Sequence, residues 1–449
     1  MLKRNLAIGM AIVLSAGSLF GCGNSESNGG NTSAADTPAV TENAADASGD
    51  MVLRFSWWGN QVRNEKTDKV LKMYSEDNPG ISFQEEINEF SSYWDRLAAQ
   101  SAGNDLPDII QMDYRYIDQY VSNGLLLDLT PYVENGLLDL SNLADSTVDS
   151  GKIGGKLYGI CNGLNAPMMI YNKTITDNAG IEIGDEITLD QYIEYSKLIY
   201  EKTGTPTNIA YGAGTKYLQY YMRDRGEKLY NNQGGLGGQE STFADFFRLY
   251  ENAIKEGWHT DPAAFVEIST TSIEEDAIHS GKSWSTIVWS NQYAAAMNSK
   301  PEEYEYAVCT WPANNIKQAD YTKPSQFFSV SSNSKNPEEA VKVIKYLTNS
   351  KECNDVLLGE RGVPASSVIA EAITPKLGQD EQLVIEFVTK VSENCSALDP
   401  ADPVGSGEIT NLIDSLTEEV CYGSKTADEA AAEFYEKGNA ILLKGYSGQ

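Results

Sequence analysis

Two kinds of side chain in this 449-residue sequence stand where they could meet a ligand: large flat aromatics, and planar polar groups close beside them. "MVLRFSWWGN" (51–60) reads as a short buried strand through Val52, Leu53 and Phe55 that ends in Trp57, Trp58, Gly59 and Asn60. "LPDIIQMD" (106–113) is a second buried strand with Asp113 at its end, and "WSTIVWSNQ" (284–292) carries Trp284 and Trp289 in one strand-like run before Asn291 and Gln292. Aromatic faces suit the apolar faces of a small molecule, while carboxylates, amides and guanidinium groups each pair with two hydroxyls at once. Successive strand residues point to opposite faces, so of Trp57 and Trp58 one is core and one faces outward, and Trp58 is taken as the outward one. Trp284 and Trp289, five residues apart, also oppose each other, with Trp289 outward because "SNQ" follows it. Asp113 either meets a ligand or caps the helix after it.

Bond-breaking chemistry has a weaker signature. There is no GxSxG or HExxH, and the only histidines, His259 and His279, sit in no catalytic context. With 64 Asp and Glu, a carboxylate pair of the glycosidase kind is not excluded by sequence, so an exported glycoside hydrolase is the rival class. No His-rich cluster signals a metal, and the glycine-rich "NNQGGLGGQES" (231–241) matches neither a phosphate-binding loop nor a dinucleotide fingerprint, so it reads as a turn and no cofactor is expected. The formal charge of −30 repels phosphate backbones, which excludes nucleic acid as a partner. Beyond Cys22 there are five cysteines at wide spacing with no CxxC; Cys395 and Cys421 either bridge or stay free, and buried free thiols are the simpler expectation.

The elements that must position these groups begin after an export signal. Lys3 and Arg4 precede the apolar run "LAIGMAIVLSAGSLF", shorter than the roughly 20 residues of a spanning helix. "SLFGC" resembles a bacterial lipobox, which implies cleavage after Gly21 and a lipid on Cys22. Residues 22–50 lack Lys, Arg and aromatics and read as a disordered tether. From residue 51, strands alternate with helices: "NEKTDKVLKMYSEDNPG", "ISFQEEI", "SSYWDRLAAQSAG", "LPDIIQMD" and "YIDQYVSNG" follow one another as βαβ units of a parallel sheet. In such sheets ligands lie beyond the carboxyl ends of the strands, where Trp57 to Asn60 and Asp113 stand. Further on, Leu157–Ile160 and Met168–Tyr171 read as strands with a polar crossing between them. Helices are expected after Thr188, in "STFADFFRLYENAIKEG", and after Asn336 with Pro337 at the first position.

Taken together, "LRFSWWGN", "YSEDNPGISFQEEINEFSSYWDRLAAQSAGNDLPDIIQMD", "GLLLDLTPYVENG", "GKLYGICNGLNAPMMIYNKT", "TLDQYIEYSKL", "AIHSGKSWSTIVWSNQ" and "SVSSNSKNPEEAVKVIKYLTNSKECNDVLLGERGVPAS" resemble, in order, the extracellular solute-binding proteins of carbohydrate ABC importers, the group that includes maltose-binding protein. The resemblance spans residue 51 to about 366. It implies an α/β, two-lobe, periplasmic-binding-protein-like (Venus flytrap) fold with a ligand cleft between the lobes. By that analogy the chain crosses near Leu164–Met168, Cys309–Pro312 and Leu347–Glu352, giving a first lobe of 51–165 and 312–350 and a second of 166–311 and 351–449. "SGEITNLIDSLTEEV" and "TADEAAAEFYEKGNAILL" are assigned to terminal helices of the second lobe by periodicity alone.

A sugar has apolar C–H faces and a rim of hydroxyls, and the resemblance puts Trp58, Asn60, Asp113, Asn165, Trp289, Asn291, Gln292 and Arg361 at its cleft. Arg361 has an alternative role in bracing the "ERGVPAS" loop. The implied protein is a monomer that takes a sugar or oligosaccharide, uses no cofactor or metal, meets ABC permease subunits, and is held at the extracytoplasmic face of the cell membrane through Cys22. An acidic, uronide ligand is the alternative, with Arg361 or Arg225 facing its carboxylate.

Overall fold

The computed structural model describes residues 51–209, 215–231, 233–264 and 273–447. The signal segment 1–21, Cys22 and the tether 22–50 lie outside the described residues.

Strand β1 (Met51–Trp58) buries Leu53, Phe55 and Trp57 completely, an alternation that places one face against a helical layer. The chain then turns into α1 (Gln61–Asp77), where the Asn60 side chain accepts from the Arg63 N–H at 2.9 Å and caps the helix. Thr67, Val70, Leu71 and Tyr74 recur at helical spacing and form the buried stripe of α1. Gly80, at φ 93°, makes the tight turn into β2 (Ile81–Asn88), which pairs parallel to β1 from Met51↔Ile81 to Trp58↔Asn88. Next come α2 (Phe90–Ala102), β3 (Ile109–Met112) and α3 (Ile117–Ser122). A hairpin of β4 (Lys152–Ile153) and β5 (Lys156–Leu157) leads to β6 (Ile160–Asn165) and β7 (Pro167–Asn172). The remaining strands are β8 (Ser285–Trp289), β9 (Tyr306–Cys309), β10 (Lys323–Val330) and β11 (Val363–Pro364).

These strands build two sheets. The first has the order β11-β6-β10-β3-β1-β2, and the second is antiparallel, β8-β7-β9. Each has its own core. One gathers Leu53, Phe55, Trp57, Ile109, Phe327 and Ile344, and the other gathers Met169, Tyr217, Phe243, Trp284, Trp311 and Phe434. The molecule is therefore a two-lobed α/β protein, as the sequence implied.

The lobes divide the chain differently from the expected boundaries. Cys353, Leu357, Val363 and Ile373 pack in the first core, and Val363 pairs with Leu164 across β11 and β6, so 351–373 joins the first lobe rather than the second. A two-residue strand leaves no periodic trace in sequence, which is why this return was not legible. Ala313, Ala319 and Tyr321, expected in the first lobe, pack in the second core. No crossing occurs at 347–352; there the helix Pro337–Asn349 ends, and Ser350 caps the helix Lys351–Leu357. The helix Gln379–Glu393 touches both lobes, with Ile385 and Val388 in the first core and Leu383 against the Met168–Val288 cluster of the second sheet. The third crossing follows it, ahead of the helices Ser406–Cys421 and Ala427–Ser447, which pack in the second core as their periodicity suggested. The expected polar crossing after Ile160 is strand β6 itself. Gly163 lets the Arg361 carbonyl come so near that a Cβ would lie 2.2 Å from it. The described cysteines are all free.

Candidate functional site

β1 and β3 run parallel, while β10 runs antiparallel to both β3 and β6, so β6 points the same way as β1 and β3. Trp58, Asp113 and Asn165 therefore emerge at one end of the first sheet, the end from which β6 passes into β7 and the second lobe. Strand direction alone brings these three to the lobe junction.

Trp57 is fully buried and its indole N–H donates to Asn64 Oδ1 at 3.0 Å. Trp58, on the opposite face, is half-buried in a group of rings: Phe90 at 5.3 Å, Tyr93 at 5.2 Å and Trp94 at 5.7 Å between centroids. Trp94 in turn lies 4.0 Å from Tyr116, and the Arg115 guanidinium covers Phe90 and Tyr116. The Trp58 carbonyl is held by two side-chain donors, Arg63 Nη1 at 3.1 Å and Gln111 Nε2 at 3.2 Å, which set the end of β1. Asp113 accepts from the Arg115 N–H at 2.9 Å and Nε at 3.1 Å, both at Oδ1, and is partly exposed. Asn60 is exposed and spends its side-chain oxygen on the α1 cap.

Arg361 departs from its expected place. It is 7% exposed; its Nη2 donates to Thr67 Oγ1 at 2.8 Å, its Nε to Gln111 Oε1 at 3.3 Å, and Glu360 lies 3.8 Å away. Burial, reinforced by the charge of Arg63 and opposed by Glu360, holds the guanidinium down to about 9. Arg361 thus braces the 358–364 loop against α1 and β3 inside the first lobe, and does not line the junction. Arg225, its proposed substitute, lies over the Tyr221 ring at 3.5 Å and beside Asp224.

In the second lobe Trp284 is buried, with its indole N–H shared between Ser196 and Thr207. Trp289, on the other face, is half-buried at the end of β8, opposite Pro167. It sits directly on the first crossing, because Ser290 N–H donates to the Ala166 carbonyl at 3.0 Å and Ala166 N–H to Ser290 Oγ at 3.1 Å. Trp311 and Tyr321 flank its ring at 5.8 Å, and the Lys323 ammonium stands 5.5 Å over it. Lys323 opens β10 opposite Asn165, so both crossings meet at Trp289. Trp311 is itself interior, donating to the Met168 and Val288 carbonyls. Gln292 accepts from the Trp289 N–H at 3.0 Å and holds the backbone there.

The expected polar residues do not all converge. Asn165 and Asn291 share a pocket of about 250 Å³ with Ser290, Tyr293, Glu360 and Gly362, and none of Trp58, Asn60, Asp113 or Trp289 is among its walls. Sequence reasoning missed Phe90, Trp94, Arg115 and Tyr116 around Trp58, and Tyr321 and Lys323 around Trp289. Phe90 was within reach, since it starts the helix after the carboxyl end of β2. Lys323 was not, because only the antiparallel entry of β10 brings its first residue to this end. Among the described residues no group of His, Cys, Asp and Glu is arranged to hold a metal ion.

Known proteins share this architecture. The family model for bacterial extracellular solute-binding protein matches residues 58–352. A solved extracellular solute-binding protein family 1 structure from Alicyclobacillus acidocaldarius is 27% identical with a TM-score of 0.80, covering 89% of this chain and 100% of that one. A periplasmic oligogalacturonide binding protein from Yersinia enterocolitica has the same fold at 22% identity and a TM-score of 0.77, covering 88% of this chain and 100% of its own. The arabinooligosaccharide-binding protein of Bacillus subtilis is 25% identical over 170 residues, 37% of this chain and 38% of that protein. The family match takes in the whole second sheet, most of the first and all but the last lobe crossing, and the chain belongs to the bacterial extracellular solute-binding proteins.

Proposed function

We propose that this protein captures a sugar or oligosaccharide between its lobes outside the cell and delivers it to the permease of an ABC importer. The observation that carries this is the pair of half-buried tryptophans: Trp58 at the carboxyl end of β1 and Trp289 on the first crossing, one from each lobe and each backed by further rings. A sugar ring presents apolar C–H faces that such surfaces cover, and Asp113 emerges at the same sheet end as Trp58 to take hydroxyls. The names of the Bacillus and Yersinia relatives agree with a carbohydrate ligand.

The test is a thermal-shift screen against a glycan panel, followed by calorimetry on any hit. A ligand that binds only the native state raises the melting temperature. A panel of neutral and acidic mono- and oligosaccharides that leaves melting unchanged would refute the proposal, and release of shortened products would make the protein a hydrolase instead.

The Lys323 ammonium over Trp289 favours a second reading, in which the sugar is acidic and its carboxylate meets Lys323. Binding of galacturonate oligomers that weakens with salt and with Lys323→Gln would select it; binding of neutral oligomers alone would reject it.

Attachment to the membrane rests on "SLFGC". Labelled palmitate should enter the wild-type protein and not Cys22→Ala, and wild type without label would rule out the anchor.

A further inference from the structure

A pocket of about 210 Å³ opens on the second lobe beside the third crossing. It is smaller than the roughly 300–1,000 Å³ of sites for drug-sized ligands, so it suits a single small ring. None of the residues assigned to the lobe junction lines it. One wall is apolar: Pro403, Val404 and Tyr446, with Val404 and Tyr446 more than half exposed. The rim is polar, formed by Gln219, Lys228 and Asp399. Tyr230 lines it as well, with its hydroxyl buried beside the Thr215 side chain. A tyrosine hydroxyl both donates and accepts, so beyond Thr215 it has capacity for one more partner.

The glycine-rich loop has a physical role here. Gly234 adopts φ +75°, and a Cβ on it would fall 2.5 Å from the Tyr446 Cβ, so only glycine lets the loop seat against that tyrosine. On the far side a Cβ at Gly445 would fall 2.5 Å from the Val404 carbonyl. Two glycines thus hold the aromatic wall against the pocket mouth, without the conformational freedom of a long surface side chain.

The pocket adjoins the lobe junction through the third crossing: Asp399, Pro400 and Ala401 line it, and the Asp399 carbonyl accepts from the hydroxyl of Tyr114, the neighbour of Asp113, at 2.8 Å. Gln219 Nε2 donates to Asp402 Oδ1 at 2.9 Å. Burial raises this carboxyl, and the Gln219 amide and then the Lys323 ammonium pull it back.

We propose that this pocket is an outlying subsite for the terminal sugar unit of an oligosaccharide whose body lies at the lobe junction. Tyr446 and Pro403 cover the C–H face of that unit, and the Tyr230 hydroxyl and Gln219 amide meet its hydroxyls. The protein then reads chain length as well as sugar type. This rests on the carbohydrate reading of the junction.

Calorimetry with arabino-oligosaccharides and oligogalacturonides of one to six units tests it on the wild type, Tyr446→Ala and Tyr230→Phe. In the series that binds, wild-type affinity climbs with length. Tyr446→Ala lowers affinity for the longest members by about tenfold and leaves the shortest unchanged. Tyr230→Phe lowers it by about threefold to tenfold for the same members, while the melting temperature changes little because only one hydroxyl contact, to Thr215, is removed. Equal losses at every length, or none, overturn the subsite and leave the junction reading intact. No binding of any oligomer to the wild type overturns the carbohydrate reading itself, and the subsite with it.

Discussion

Arg361→Met separates a ligand-binding arginine from a structural one. The substitution keeps a similar length and removes the charge. It takes away donors to Thr67 Oγ1 and Gln111 Oε1. Thr67 still donates to the Arg63 carbonyl, but Gln111 Oε1 loses this partner inside the first lobe, where an unsatisfied acceptor costs about 1–3 kcal/mol. Glu360 is not stranded, because Arg63 Nε reaches both of its oxygens at 2.9 and 3.0 Å. Against the loss stands relief: the same burial that holds Arg361 down to about 9 disfavours its charge, and methionine carries none. The net expectation is a destabilisation of about 2 kcal/mol, which lowers the melting temperature by about 4–8 °C for a cooperative unit of lobe size. Affinity for the ligand found by the glycan screen should change less than threefold, because the guanidinium does not reach the junction. Calorimetric melting and titration on one preparation measure both. A tenfold loss of affinity with unchanged melting would mean that Arg361 meets the ligand, and the buried network would not describe it.

Trp58→Ala and Trp289→Ala should each lower ligand affinity more than tenfold, about 2 kcal/mol, as loss of a buried aromatic anchor does; melting that collapses while affinity holds would make them core residues. Closure about the crossings predicts a smaller radius of gyration by small-angle scattering when ligand saturates, and an unchanged radius would argue against hinge motion. His259 gives a pH prediction. Its Nε2 accepts from Ile209 N–H while Nδ1 lies 2.9 Å from the Thr260 carbonyl, so the neutral ring fits, and burial lowers its pKa from 6.5 to about 4. A folded pKa below the unfolded one gives stability that is complete above about pH 6.5 and lost as pH falls towards 4, about 3 kcal/mol in all. Asp320, pushed up to about 8 by burial, acts in the opposite sense, losing stability as pH rises, so the histidine limb is read as the difference between wild type and His259→Asn. With two histidines in the chain, proton NMR follows the ring directly, and a midpoint near 6.5 would refute the burial argument.

Much of the local structure was legible because local chemistry sets it. Thr188 and Gln191 form a capping box with Gly204 closing the helix, and Pro337 begins its helix, all from residue types whose backbone preferences act within one turn. The parity that separates Trp57 from Trp58 and Trp284 from Trp289 is likewise a property of any strand. The return of 351–373 to the first sheet was not legible, since β11 is two residues long and its stability comes from β6, about 200 residues earlier in the chain.

By itself the sequence determined which faces are apolar, where helices begin and end, and that the two tryptophans of each pair turn to opposite faces, because periodicity and capping are local. Only the tertiary structure decided what each outward side chain meets. Asn165 and Asn291 share a pocket apart from both tryptophans, Lys323 arrives over Trp289 from an antiparallel strand, and Arg361 turns inward to Gln111 and Thr67. Those contacts join residues tens to hundreds of positions apart, and their geometry depends on sheet order and crossing points, which no window of sequence contains.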